Sequence, residues 1–361
     1  MKKHISLILV LALWLSLTVF AWGKPADASS DAERRQLAQF PELTVETLLS
    51  GRFMTEFADY AVDQFPFRQS FRSLNVLLTR YGLGQTDSNG YYVHDGYIAK
   101  LEYPLNEGSI SFAAARFQDL YELYLTDSEV YFAIVPDKSY YLAEDAGALA
   151  LDYEALFSYY EETLDWAEFV DLTDCLSIDS YYRTDTHWRQ EALVPVAETL
   201  GAALGVEVPS DYETVTAKSD FYGVYYGQAA LPMESEELNW LLWPGWENCT
   251  VYSHDSGALT SIYDESKLTS KDPYESFLSG SMAIQVIENP DAATEKELIV
   301  FRDSFGSSLV PLLARSYAKV TLIDTRYVSP AMVGEFVEFD GAQVLMLYST
   351  LVLNSSSALR K

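Results

Sequence analysis

From residue 110 onward the apolar residues fall into two alternating periods. Ile110, Ala113, Phe117, Leu120 and Tyr124 recur at helical spacing, and Val130-Tyr131-Phe132-Ala133-Ile134-Val135 follows as an unbroken apolar run of strand length. Pro136-Asp137-Lys138-Ser139 closes that run. Residues 153–166 read as a second helix, 169–172 as a short strand, and 188–204 as a helix with Pro195 near its first turns. The last part of the chain repeats the rhythm, with strands at 298–301, 320–323 and 343–348 and a helix at 309–317. Strands apolar on both faces and alternating with helices predict an α/β fold, a mostly parallel sheet with helices on both sides.

The flanking stretches differ. Lys2 and Lys3 precede an uncharged run from Ile5 to Trp22, long enough to be read as a membrane anchor or a signal peptide. The two lysines favour a cytoplasmic start, which places the rest of the chain outside the cytoplasm, anchored to the membrane or secreted. Ala26-Asp27-Ala28 is a weak cleavage site. Residues 24–45 are polar, contain Pro25 and Pro41, and read as a tether. Residues 44–81 have a helical pattern that Pro66 must end or kink. Asp87-Ser88-Asn89-Gly90 is a turn signal, and the residues up to Ile98 predict a hairpin. Residues 209–290 show no clear period and read as an irregular β/loop insertion. The expected organisation is therefore an N-terminal segment at 1–23, a tether at 24–45, and one catalytic domain at 46–361 that carries the insertion.

Composition narrows the class of function. The formal net charge is −29, a field that repels polyanions and excludes nucleic acid as an expected partner. Cys175 and Cys249 are too few for a disulfide framework, and no CxxC or HExxH spacing is present, so neither a metal nor another cofactor is expected.

The candidate chemistry sits at two strand-to-helix corners. Leu298-Ile299-Val300-Phe301-Arg302 runs into Asp303-Ser304-Phe305-Gly306, where a serine hydroxyl stands beside the free amides of a helix start. Serine needs a base. Beyond the N-terminal segment the histidines are His94, His187 and His254. His187 lies at the junction of a polar turn and a helix, with Asp185 two residues earlier, so one turn can present the carboxylate to the imidazole. His94-Asp95 and His254-Asp255 are adjacent pairs and read as turn residues. Trp240, Trp243 and Trp246 form a possible aromatic platform for a sugar face.

Thr184-Asp185-Thr186-His187-Trp188 followed by Arg302-Asp303-Ser304-Phe305-Gly306 resembles the DHHW protein family. That family is similar to the alginate O-acetyltransferases of the SGNH-hydrolase superfamily. Residues 64–68, Val135-Pro136-Asp137-Lys138 and residues 274–280 resemble further pieces of it, so the likeness spans roughly residues 45–355. It implies an SGNH-like fold with permuted motif order, in which Asp185 is the acid, His187 the base and Ser304 the nucleophile. It also suggests the Gly280 amide as a second oxyanion donor beside that of Ser304. Two positions depart from the pattern: Thr186 stands where the family name implies histidine, and Arg302 where simple SGNH esterases have glycine. Arg326 and Tyr327, after the strand at 320–323, are candidate contacts to substrate or acyl oxygen.

Together these readings predict an extracytoplasmic enzyme that moves acetyl groups onto polysaccharide hydroxyls through an acyl-serine. Its partners would be a polysaccharide or oligosaccharide acceptor and, by resemblance, a membrane-bound acetyl donor. A carbohydrate acetyl-esterase with the same triad and an inactive glycan-binding or export-complex protein are the alternatives.

Overall fold

The structure, a computed structural model, describes residues 2–340 and 342–360, with side chains from residue 5 onward. Chain contacts divide it into two compact units, Met1–Ser88 with Tyr226–Pro232, and Asn89–Tyr225 with Met233–Lys361. The division after Ser88 groups residues 46–88 with the N-terminal helix rather than with the catalytic domain in which they were expected.

The larger unit is built on an eight-stranded sheet. Its strands are β1 (Val130–Val135), β2 (Glu168–Phe169), β3 (Thr250–Ser253), β4 (Leu259–Thr260), β5 (Ile284–Glu288), β6 (Glu297–Arg302), β7 (Lys319–Ile323) and β8 (Gln343–Ser349). They lie in the order β4-β3-β5-β7-β6-β8-β1-β2. The run from β7 to β2 is parallel throughout, whereas β5, β3 and β4 are attached to β7 by antiparallel pairings. The expected irregular insertion thus contains three strands of the main sheet. Their burial patterns are uneven (Thr250–Ser253 alternates half-buried, buried, exposed, buried), so they lack the continuous apolar run by which β1 and β8 are recognised.

Alternation along the strands fills two cores. Val130, Phe132 and Ile134 of β1 join Ile299, Val344 and Met346 in one, under the helices Glu107–Leu120 and Tyr153–Thr163. Tyr131, Ala133 and Val135 join Val300, Leu345 and Leu347 in the other, under Val194–Ala203 and Gly306–Leu313. Two helix boundaries moved. The α-helix expected from residue 188 starts at Val194, because Pro195 is accepted in a first turn but not in a helix interior. The helix expected at 309–317 begins at Gly306, immediately after the serine corner, and ends at Leu313. Cys175 and Cys249 are both free thiols.

The smaller unit holds the helix Lys2–Gly23, whose stretch Ile5–Gly23 has a mean hydropathy of 2.4 and is unburied; it is compatible with a signal anchor or a signal peptide. Two amphipathic helices follow, Arg52–Asp63 and Arg68–Leu77, separated at Pro66 as the pattern requires.

Candidate active site

The site forms at the carboxyl edge of the parallel strands, where two aspartates brace neighbouring strand ends and a third holds an arginine of its own loop. Asp137, just after β1, accepts hydrogen bonds from Ser139 N, Tyr153 Oη and Thr350 Oγ1, the last at the end of β8. Asp303, just after β6, accepts from Phe305 N at 2.9 Å through Oδ1, and from Ser349 N (2.8 Å) and Ser349 Oγ (2.6 Å) through Oδ2. Asp324, just after β7, takes the Arg326 guanidinium on both oxygens. Asp303 therefore does two things: it shapes the turn that carries Ser304, and it ties that turn to the adjacent strand.

Ser304 is half-buried at this corner. Its Oγ lies 2.8 Å from His187 Nε2, and His187 Nδ1 lies 2.6 Å from Asp185 Oδ1. Asp185 is fully buried; its Oδ1 also accepts from His187 N at 3.0 Å, and Oδ2 accepts from Val224 N at 2.7 Å. A carboxylate on Nδ1 selects the tautomer with hydrogen on that nitrogen, which leaves Nε2 free to accept the serine proton. The ring is also held from its face: Tyr274 stacks on it with centroids 3.8 Å apart and planes 5° apart, and Tyr274 Oη lies 2.8 Å from Ser308 Oγ. An aromatic face next to the ring favours an imidazolium when it forms.

The Asp185–His187 turn is bound to the serine turn by Trp188. This fully buried indole donates from Nε1 to Phe305 O and to Ser308 Oγ, both at 3.0 Å. Glu236, on the strand Glu236–Leu242 of the insertion, holds the turn from the other side by accepting from Arg183 N and Thr184 N at 2.8 Å each. None of these supports has a signature of its own in the sequence. Their signal is the run Thr184–Trp188, whose tryptophan is the residue that reaches the serine turn.

Gly223 shows how tightly the acid is packed. A Cβ at this position would overlap the Asp185 α- and β-carbons and Oδ2. Gly223→Ala is expected to displace the carboxylate and slow serine acylation by about 10²-fold, the cost of misplacing a reacting group by about 1 Å. The rate of covalent labelling by a sulfonyl fluoride measures this, and an unchanged rate would refute it.

Lys138 lies behind the acid. It is buried, donates from Nζ to Tyr182 O (3.0 Å) and Arg183 O (3.3 Å), and stands 4.9 Å over the Tyr225 ring. Burial pulls its ammonium down to about 7, against the opposing pull of Asp185, Glu236 and Asp137. Between about pH 7 and 10 the unfolded chain holds a proton at this lysine that the folded chain has lost, so the Lys138 contribution to stability rises with pH across that window. Denaturant midpoints at pH 7, 8 and 9 should climb relative to those of Lys138→Met; parallel curves would count against a neutral buried amine.

The other expected site residues lie elsewhere or are already engaged. Gly280 N–H donates to Phe277 O at 3.1 Å, so its amide closes a turn and is not free for an oxyanion. Gly280 ends three left-handed residues in succession, with φ of 56° at Leu278, 57° at Ser279 and 94° at Gly280. The Ser304 amide is taken neither by the Asp303 carboxylate nor by the turn that follows it. Arg302 does not reach into the approach to the serine: its guanidinium is fully buried and donates to Ser281 Oγ (2.9 Å), Gln285 Oε1 (2.8 Å) and Ser307 Oγ (3.2 Å). Burial lowers its pKa.

Arg326 is bound to Asp324, and Tyr327 is exposed in a cleft of about 650 Å³ with His254, Met332 and Phe336; Ser304 and His187 do not line it. The tryptophan platform is not present. Trp240 and Trp243 are buried, the first stacked on Tyr263 with centroids 4.9 Å apart and the second edge-on to Tyr212, and Trp246 leans on the same Tyr263. These rings fill core space because the ribbon that carries Trp240 folds back over the sheet. His94 and His254 stay outside the cluster, against Asp95 and against Tyr252 and Phe336.

No protein-family model matches the chain, and no curated protein matches it significantly. Among solved structures it is similar to a DHHW family protein from Eubacterium siraeum, with a TM-score of 0.62 and 20% identity over 76% of this chain and 98% of that one. It is also similar to Bacillus cereus PatB1, with a TM-score of 0.58 and 19% identity over 73% and 96% of the two chains. A structure of PatB1 with a sulfonyl adduct matches at 0.57 and 18% identity, over 73% and 97%. The chain thus shares the fold of a DHHW family protein, an α/β fold with a mostly parallel sheet flanked by helices.

Proposed function

We propose that the chain is a serine O-acyltransferase that works outside the cytoplasm and moves acetyl groups onto hydroxyls of a polysaccharide. The observation that carries this reading is the continuous chain Asp185–His187–Ser304, with its serine open to solvent at a strand-to-helix corner. The fold shared with a DHHW family protein, and the resemblance of the same residues to that family and through it to the alginate O-acetyltransferases, support this class of reaction.

The residues act in two half-reactions. Ser304 Oγ gives its proton to His187 Nε2 as it bonds to the acyl carbon, and Asp185 holds the imidazolium that forms. The Ser304 amide, at the start of the helix Gly306–Leu313, is the candidate donor to the developing oxyanion. Collapse breaks the bond to the donor's leaving group, which takes the proton from His187. A sugar hydroxyl then gives its proton to His187, its oxygen attacks the acetyl carbon, and Ser304 leaves with that proton. A net charge of −29 favours a neutral acceptor glycan, and the acetyl would come from a membrane-bound partner.

The purified full chain, given 4-nitrophenyl acetate with and without neutral oligosaccharides, tests the proposal. Acetylated sugar detected by mass spectrometry supports it. Acetate release that no added sugar diverts makes the chain an esterase instead. Absence of turnover together with absence of a serine adduct leaves a binding protein.

A further inference from the structure

The smaller unit carries an apolar surface that its own packing leaves largely exposed. Along the helix Arg68–Leu77 and its continuation Leu78–Gly82, the residues Phe67, Phe71, Leu74, Leu78 and Tyr81 fall at spacings of four, three, four and three. On a helix this puts them in one stripe about 20 Å long. All five are exposed, from 44% at Phe71 to 76% at Tyr81. The helix is held by its other side: Val76 is buried, Arg72 donates to Gly227 O and Gln228 O, and Arg68 pairs with Glu33. The stripe is therefore not needed to seat the helix, and a monomer in water gains nothing by exposing it.

Three observations indicate what covers it. The stripe starts at the outer end of the apolar N-terminal helix, where Phe67 stacks on Phe20 with centroids 5.6 Å apart. Trp22, Tyr60 and Phe40 surround a neighbouring cavity of about 340 Å³ that Trp14 and Leu17 of the same helix also line. Aromatic rings gathered at one end of an apolar span are characteristic of a membrane–water interface. The charge of the chain is also unevenly distributed. Residues 24–83 contain seven Lys or Arg against eight Asp or Glu, whereas residues 84–361 contain 15 against 45. The stripe thus lies in a long part of the chain whose charge is nearly balanced and which an anionic bilayer surface repels little.

We propose that this stripe lies in the lipid interface of the membrane that the N-terminal helix enters, so that the chain is held by an in-plane helix as well as by its span. The inference rests on that helix being retained as an anchor. The full chain, reconstituted into phosphatidylcholine–phosphatidylglycerol vesicles, carries an environment-sensitive fluorophore at Leu74→Cys or, on the opposite face, at Gln69→Cys. The native cysteines are kept, and the labelled parent chain gives the background. Quenching by a nitroxide placed near the lipid headgroup should be at least about twofold stronger at position 74 than at 69, with aqueous iodide showing the reverse order. Equal quenching in vesicles that do float with the chain overturns the lipid proposal alone and assigns the stripe to a protein partner. A chain that fails to float overturns it together with the anchor reading.

Discussion

Ser304→Ala is expected to remove acyl transfer by roughly 10⁴-fold or more, with no loss of folding stability large enough to detect. The hydroxyl is half-exposed and donates only to His187, so its removal leaves no buried donor unpaired. The Asp303 bonds to Phe305 and Ser349 that form the turn do not involve the serine side chain. The variant should also lose the covalent adduct that a sulfonyl fluoride forms with the parent, read by intact mass, while keeping its melting temperature. Retained transfer in a folded Ser304→Ala chain would remove the acyl-serine from the mechanism. A variant that loses the adduct but keeps oligosaccharide binding separates recognition from chemistry.

Asp185→Asn is the second large effect, and the hydrogen bonds around the carboxylate determine its form. Oδ1 faces two donors, His187 N and Nδ1, while Oδ2 faces Val224 N. An asparagine has one acceptor oxygen for these two positions. If its amide nitrogen faces Nδ1, the imidazole must carry its hydrogen on Nε2 and cannot take the serine proton. If the nitrogen faces Val224, two buried donors confront each other at a cost of about 1–3 kcal/mol. Acylation should fall by about 10²- to 10⁴-fold with the ring still in place. A chain melting within about 3 kcal/mol of the parent but with less than tenfold loss of labelling rate would show that Asp185 does not orient the base.

These expectations were unevenly legible from residues alone. Ser304 and His187 could be singled out because each lies at a local junction of patterns: an apolar run that ends at Asp303-Ser304, and a polar turn that ends at His187-Trp188. Gly280 misled because resemblance carries a position but not the direction of its amide, which depends on three consecutive left-handed residues. The tryptophans misled because aromatic spacing is the same for an exposed platform and for a buried ribbon. Arg302 stood out as a departure from glycine next to Ser304, and only the packing of Ser281 and Gln285 around it showed a structural cation.

By itself the sequence determined the parallel α/β core, the apolar first helix, the strand-end position of Ser304 and the pairing of Asp185 with His187 within one turn. All four follow from local periodicity and short-range spacing, which a linear chain records directly. The tertiary structure alone decided that the turn at His187 reaches Ser304, 117 residues away along the chain. It also decided that Trp188 and Tyr274 hold the two turns together while Glu236 holds the first of them, and that the supposed insertion supplies both a clamp on the acid and three strands of the sheet. Such contacts join residues whose separation in sequence carries no period, so they exist only once burial has brought the strand ends to one edge.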